Sequence, residues 1–533
     1  MNLGSLRRRW QRSQARGAQD SAIEHGQAPR APDPAASDVS SPRSPASPGG
    51  SRERSGSRGI AARLKELARH SAVYGLGSLV SRFIAVLLLP VYTRYLSPAD
   101  YGLIETLIAL SAVLTVLLAA GVKSAFFRFY FDEEDKRRVI RTSFWFTMAS
   151  ATAGLVAGIA LAAPISQLLF GTGDHADLVR AAFVGLWAHV NYEQMTSLFR
   201  VEQRSVAYLI ATLINLGLTV GATLLLVVVW DQGPIGVIVG NFTGTLMVYL
   251  GLLAYRREQL GLELDRGLLR EMNRFGMPLV PSGLFLWVLN FSDRFFLVKL
   301  AGAKEVGLYS IGVRLASAII LFLAAFRTAW PAFAYSIEDD RDAARTYSYV
   351  LTYIVVITSW MALALGVLAP WLVQLLTTEE FYDAERVVAP LAFAAAAFGA
   401  YIVVVIGIGR ARQTRSNWVI TGAAAALNIV LNLLLIPPFG MMGAAIATIG
   451  AYATLFVGMA WKAQHVFPVP YQWRRVATAM GTAIALTVIA RALDLPLAAA
   501  IAVVAAYPLV LLPLGFYLPE ELRRMRLTTM PSR

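Results

Sequence analysis

The chain has 533 residues, 56% of them hydrophobic and 15% charged, with a mean hydropathy of +0.55. Soluble domains carry roughly 45–50% apolar and about 25% charged residues, and the excess here runs the length of the chain, so it points to many membrane spans rather than one soluble core. The formal charge of +14 would suit nucleic acid, but the basic residues cluster between apolar runs, and the absence of cysteine excludes disulfides, thiolate metal sites and cysteine catalysis.

In chain order, residues 1–58 are rich in Arg, Ser, Pro and Gly, as in Ser40-Ser41-Pro42-Arg43-Ser44-Pro45. Such a segment cannot bury enough apolar surface to offset the entropy of ordering, so it is expected to be a disordered cytosolic tail. It has no apolar h-region, so no cleavable signal peptide is expected. Residues 59–71 read as a basic amphipathic lead-in on the membrane surface. Fourteen apolar stretches follow: 72–92, 100–122, 142–169, 178–199, 207–230, 234–254, 277–300, 306–333, 347–376, 387–409, 416–436, 440–461, 474–493 and 496–517. The fourth is interrupted by His189 to Gln194, and the seventh is polar at its centre. Ser97-Pro98-Ala99-Asp100 has the pattern of a capped helix start, with Ser97 as N-cap and Asp100 reaching back.

The positive-inside rule tests this list. Even-numbered loops hold 21 lysines and arginines, whereas odd-numbered loops hold only Arg94, Lys299, Lys304, Arg386 and Arg491. Both termini are therefore expected in the cytosol.

The chain also repeats. Tyr101-Gly102-Leu103 aligns with Val306-Gly307-Leu308 at a shift of 205, and the same shift pairs Leu118-Ala119-Ala120 with Leu323-Ala324-Ala325 and Glu133 with Glu338. Ala163-Pro164 matches Ala369-Pro370, and Gly236 matches Gly443, at 206 and 207. The shift covers six spans, an even number, so the halves keep one orientation and enclose a central cavity. The expected fold is an all-α integral membrane protein of about fourteen transmembrane helices. It would comprise an N-terminal six-helix lobe (72–276), a pseudo-symmetric C-terminal six-helix lobe (277–472), and two extra helices with a cytosolic end (473–533).

Arg94-Tyr95-Leu96-Ser97-Pro98-Ala99-Asp100-Tyr101-Gly102, then Asp293-Arg294-Phe295-Phe296-Leu297 followed by Gly307-Leu308-Tyr309-Ser310, resemble the signatures of polysaccharide-biosynthesis (Wzx-like) flippases. These belong to the multidrug/oligosaccharidyl-lipid/polysaccharide (MOP) exporter superfamily, and the resemblance covers roughly residues 65–520. It implies a MATE-like fold, alternating access in a bacterial inner membrane, and an undecaprenyl-diphosphate-linked oligosaccharide as cargo, such as an O-antigen, capsule or exopolysaccharide repeat unit. Membrane lipids, a glycan polymerase and a chain-length regulator are the implied partners; no nucleic acid, cofactor or metal is. The related lipid II flippases also carry Ser-Arg in their first span, as Ser81-Arg82 here, but follow it with an Arg-Asp pair where this chain has Leu88-Leu89. That departure argues against lipid II as cargo.

Charges inside a bilayer cost roughly 2.5–3.5 kcal/mol on insertion scales and usually face protein or water. Arg82 lies mid-span with Ser78 on its face; Trp287, Asn290, Asp293 and Arg294 share a face of the seventh span; Arg314 and Arg327 lie in the eighth. Arg82, Arg294, Asp293, Asn290, Trp287, Arg314 and Ser78 are therefore the candidate lining of a net cationic cavity for a diphosphate and sugar hydroxyls. The competing expectation is ion pairing, with Asp293 neutralising Arg294 or Arg82, and it is favoured for Glu105 and Glu193. Asn215, Asn241, Asn428 and Asn432 are expected to bond between helices, and the Gly-x-x-x-Gly patterns at 154, 217 and 236 to mark close packing. Asp340-Arg341-Asp342 fits the Asp-x-Asp pattern of sugar-nucleotide enzymes but sits in a short loop, and no phosphate-cradling loop supplies an ATP motor. A transporter rather than an enzyme is expected. The rivals are a drug/cation antiporter, which would line its cavity with acidic residues, and a polytopic glycan polymerase, which would carry a large outward loop.

Overall fold

The computed structural model describes residues 80–81, 83–413, 417–519 and 521. The expected tail (1–58), the lead-in (59–71), Ser78 and Arg82 lie outside the described residues. Among those described, all regular structure is helical: α1 (Leu89–Tyr95), α2 (Pro98–Ala119), α3 (Val122–Asp132), α4 (Lys136–Ala160), α5 (Ala162–Phe170), α6 (Ala176–Val201), α7 (Ser205–Leu224), α8 (Gly233–Arg256), α9 (Arg266–Gly276), α10 (Val280–Leu300), α11 (Ala303–Ser336), α12 (Asp340–Leu376), α13 (Glu385–Arg410), α14 (Asn417–Val466), α15 (Trp473–Ala492) and α16 (Leu497–Val510).

Ten helical stretches among the described residues are long and apolar enough to cross a membrane. One of them, α14, has 50 residues and breaks at Gly440 (φ 53°, ψ −131°), so it holds two crossings. The more polar α6 and the shorter apolar α16 add one crossing each, and the first expected span, 72–92, is described from residue 80 onward except for residue 82. The result is a multi-pass membrane protein of about fourteen helices.

Helices α2 to α8 pack as one bundle, with α8 against both α6 and α7. Helices α10 to α14 form the second, with α13 packed between α12 and α14. Helices α15 and α16 lie against α12.

Local chemistry accounts for the helix ends. Ser97 and Asp100 close the expected capping box: Ser97 N donates to Asp100 Oδ2 at 3.1 Å, and Asp100 N donates to Ser97 Oγ at 3.2 Å. The turn before α8 and the break in α14 both pass through a left-handed glycine, Gly233 (φ 54°) and Gly440 (φ 53°). These two are 207 residues apart, the same shift that relates Gly236 to Gly443. Helix α6 is unbroken through its polar stretch, and two of the polar side chains there have partners on other helices. Gln194 Nε2 donates to Ser143 Oγ at 2.9 Å, and Glu193 pairs with Lys123 at 2.9 Å.

The three glycine patterns do not behave alike. A Cβ on Gly158 would stand 2.0 Å from the Phe183 ring, and one on Gly240 2.5 Å from Thr223 Cα, so both mark close packing. Gly217 and Gly221 have no described residue within 4 Å of the same position, so among the described residues that pattern is not a packing surface. Pattern alone cannot tell a glycine under a neighbouring helix from one turned outward.

Candidate functional site

The two lobes meet along a seam where α2 packs against α10 and α11. At one end of the seam, a Cβ on Gly102 would stand 1.8 Å from the Ala303 carbonyl oxygen, and one on Gly307 1.9 Å from that of Pro98. Gly102 and Gly307 are repeat partners at a shift of 205, and so are Pro98 and Ala303. The two contacts are therefore images of each other, as at a two-fold interface. Only a residue without a Cβ lets the helices come so close.

One turn beyond Gly102, Glu105 faces the second lobe. Arg314 Nη2 donates to Glu105 Oε1 at 2.8 Å, and Arg294 Nε lies 3.7 Å from Glu105 Oε2. Arg294 Nη1 also donates to Asp293 Oδ1 and to the Asn290 carbonyl, each at 3.0 Å. The other Asp293 oxygen accepts from the Tyr309 hydroxyl, which stands 3.2 Å from Thr448 Oγ1. Asp293 and Arg294 are each 5% exposed and Glu105 7%. Two carboxylates and two guanidinium groups thus form a charge-balanced buried cluster across the lobe boundary. Removing one member of such a cluster leaves a buried charge unpaired, at a cost of about 3–5 kcal/mol.

A cavity of about 330 Å³ lies inside the second lobe, among α10, α11, α13 and α14. Asn290 and Asp293 form part of its wall, with Tyr309, Thr448, Tyr452 and Arg327. Tyr452 donates to Asn290 Oδ1 at 3.1 Å. Arg327 is exposed and forms no ion pair with a described residue. It lies about 20 Å further along α11 than Arg314, at roughly 1.5 Å per residue.

The first lobe holds a different cavity, of about 370 Å³, among α2, α6, α7 and α8. Its polar lining is hydroxyl, amide and imidazole, and no Asp, Glu, Lys or Arg stands among its described wall residues. A second cavity of about 230 Å³ adjoins it, shares Thr219, Asn241 and Phe242 with it, and has Tyr92 and Arg314 in its wall.

The sequence candidates are thus divided. Asn290 and Asp293 reach the second-lobe cavity, whereas Trp287 and Arg294, seven residues apart on α10, turn to α2. Trp287 Nε1 donates to the Ala109 carbonyl at 3.0 Å. Seven residues make nearly two turns, so these two stack on one line while Asn290 and Asp293 point elsewhere. Arg314 joins the Glu105 cluster, and Ser78 and Arg82 are outside the described residues. Asn428 bonds between helices, accepting from Ser292 at 3.2 Å. Asn215 also does, through a longer contact from Thr245 at 3.4 Å. The Asn432 amide instead donates within α14, to Asn428, and the Asn241 amide lines the first-lobe cavities without a hydrogen bond to a described residue. Sequence reasoning passed over that cavity. Its signal was polar residues at helical spacing inside apolar spans: Ser111 and Thr115, then Thr212, Asn215 and Thr219, then Asn241 and Thr245.

A family described as "Polysaccharide biosynthesis protein" matches residues 91–386, more than half of the chain. An uncharacterized membrane protein of Methanocaldococcus jannaschii is 25% identical over 205 residues, which span 37% of this chain and 40% of that relative's length. The fold is similar to that of the lipid II flippase MurJ in an inward closed conformation (TM-score 0.70, 11% identity, 84% of this chain and 99% of that one). It is also similar to an inward-facing multidrug resistance MATE family transporter of the MOP superfamily (TM-score 0.61, 14% identity, 77% and 96%). At these identities the two likenesses show the fold alone. The family match is decisive: the chain belongs to the polysaccharide-biosynthesis family of membrane proteins, with the fold of MOP-superfamily transporters.

Proposed function

We propose that this chain flips an undecaprenyl-diphosphate-linked oligosaccharide from the cytosolic to the outer face of a bacterial inner membrane by alternating access, with both termini in the cytosol. The observation that carries the reading is Arg327. It is the arginine in the second-lobe cavity wall that forms no ion pair with a described residue, whereas Glu105, Asp293, Arg294 and Arg314 neutralise one another. An unpaired guanidinium suits a diphosphate, because its planar fork grips phosphate oxygens in pairs and stays charged when partly desolvated. Arg327 then takes the anion-attracting role, and Arg294 the structural one. The excess of basic residues in the even loops supports the orientation, and it puts Arg327 toward the cytosolic end, where cargo would enter.

The test is translocation by the full chain in proteoliposomes that hold a lipid-linked oligosaccharide, read as newly exposed glycan by an external glycosidase. Wild-type protein should expose it, and Arg327→Gln should slow exposure at least tenfold at equal protein content. An inactive wild type that instead expels a cationic dye would favour the antiporter reading, for which the Asp293 carboxylate in the cavity wall is the supporting observation.

A further inference from the structure

The first-lobe cavity has no role in that reading as it stands. Its volume of about 370 Å³ falls within the range of roughly 300–1,000 Å³ typical of small-ligand sites. A cation site would need a convergent carboxylate, and a diphosphate site a lysine or arginine; the described wall has no Asp, Glu, Lys or Arg. Its chemistry is that of groups that both donate and accept. The Ser111 and Thr115 hydroxyls donate to carbonyls of their own helix at 2.9 and 2.8 Å, which leaves their oxygen lone pairs free to accept. Asn215 Oδ1 accepts from Thr219 at 3.1 Å and from Thr245 at 3.4 Å, which fixes the orientation of that amide. The Asn241 amide faces the cavity unbonded. Tyr192 and Phe242 contribute rings to the same wall.

We infer that this cavity is a saccharide subsite, which takes one or two neutral sugar units of the cargo while the diphosphate lies toward the second lobe. Sugar hydroxyls both donate and accept, so they match Asn, Ser and Thr side chains and have no use for fixed charge, and the C–H face of a pyranose packs against an aromatic ring. The adjoining cavity connects this wall to the lobe boundary, since Asn241 and Phe242 line both cavities and Arg314 lines the second. The division of labour follows: hydroxyl recognition in one lobe, anion recognition in the other. The proposal rests on the flippase reading and deepens it by placing the glycan.

The experiment measures binding to the purified full chain by native mass spectrometry, with two probes. One is undecaprenyl diphosphate bearing a repeat unit extracted from bacterial membranes; the other is undecaprenyl diphosphate without sugar. Wild-type protein should bind the first more tightly. Asn241→Leu, close in shape, should weaken the glycosylated probe about three- to tenfold, the scale of one lost hydrogen bond, and leave the bare probe unchanged. The Ser111→Ala/Thr115→Val double variant, which leaves Asn241 in place, should act in the same direction. Equal loss for both probes, or no loss for either, overturns the subsite. Wild-type protein that binds both probes alike also overturns it while leaving the flippase reading intact. Wild-type protein that binds neither probe removes the flippase reading and the subsite with it.

Discussion

Repeat-equivalent positions in the two lobes carry the same backbone and different chemistry. Asp100 and Glu305 are partners at a shift of 205, and both sit three residues into a helix. Asp100 caps its own helix with Ser97, whereas the second lobe has Gly302 in place of Ser97. Glu305 there crosses to another helix and accepts from the Met441 amide at 2.8 Å, just after the break in α14. The cavities differ likewise: the first lobe offers neutral donors and acceptors, the second Asp293 and Arg327. Where two backbones must touch, as at Gly102 and Gly307, the repeat is retained because no side chain fits. Where a cavity wall is free to vary, the lobes have diverged.

The strongest way to break the symmetric half of this comparison is to fill the seam. Gly102→Val and Gly307→Val each place a branched side chain against a backbone carbonyl that cannot move aside. Overpacking costs typically about 1–3 kcal/mol and more where backbone is the obstacle. Both variants should therefore lower membrane abundance and melting temperature to a similar extent, while Gly217→Val, which meets open space, should change neither by much. A large difference between the two seam variants would end the claim that these contacts are equivalent.

The charged cluster gives an effect of comparable size. Glu105→Ala leaves Arg294 and Arg314 facing a gap, and a loss of about 3–5 kcal/mol is expected, seen as loss of folded protein. The double change Asp293→Asn with Arg294→Gln keeps the Glu105–Arg314 pair, so it should be better tolerated than Arg294→Gln alone. Abundance and thermal unfolding of the single and double variants check this. Equal damage from the double variant and Arg294→Gln would show that Asp293 is not the charge left exposed.

The capping pair sharpens the asymmetric half. Ser97→Ala should cost about 1 kcal/mol, in the range of lost N-caps, and loosen the start of α2. Glu305→Ala should instead loosen α14 after Gly440, remote from its own position in the chain. Hydrogen exchange by segment distinguishes the two; protection lost at the start of α11 rather than after Gly440 would contradict the cross-helix role.

The smallest effect concerns the linker between the lobes. The Asp265 carboxyl is held below its ordinary value by the Leu268 amide and by Arg138. A carboxylate lowered in this way stabilises the folded state at neutral pH and loses that contribution as pH falls through the lowered value. Lower protection of the α9 amides, relative to their intrinsic exchange rates at each pH, is therefore expected on acidification, and Asp265→Asn should show the lowered protection already at neutral pH, with less further change in acid.

Periodicity and composition by themselves determined the class of the protein: helices long enough to cross a bilayer, their number, and the duplication at a shift of 205. Those properties follow from hydrophobic length and residue order, which are local. The capping box at Ser97 was legible for the same reason, since its partners are three residues apart. What only the tertiary structure decided is which polar groups meet. Asp293 and Arg294 are neighbours in sequence, but whether Arg294 faces cargo or Glu105 depends on how α10 is rotated against α2, and helical spacing does not fix that rotation. The first-lobe cavity leaves only polar residues at helical spacing in the sequence, for a related reason. Ser111, Asn215 and Asn241 lie on three helices, each an ordinary polar residue in an apolar span, and only packing of those helices gathers them around one space.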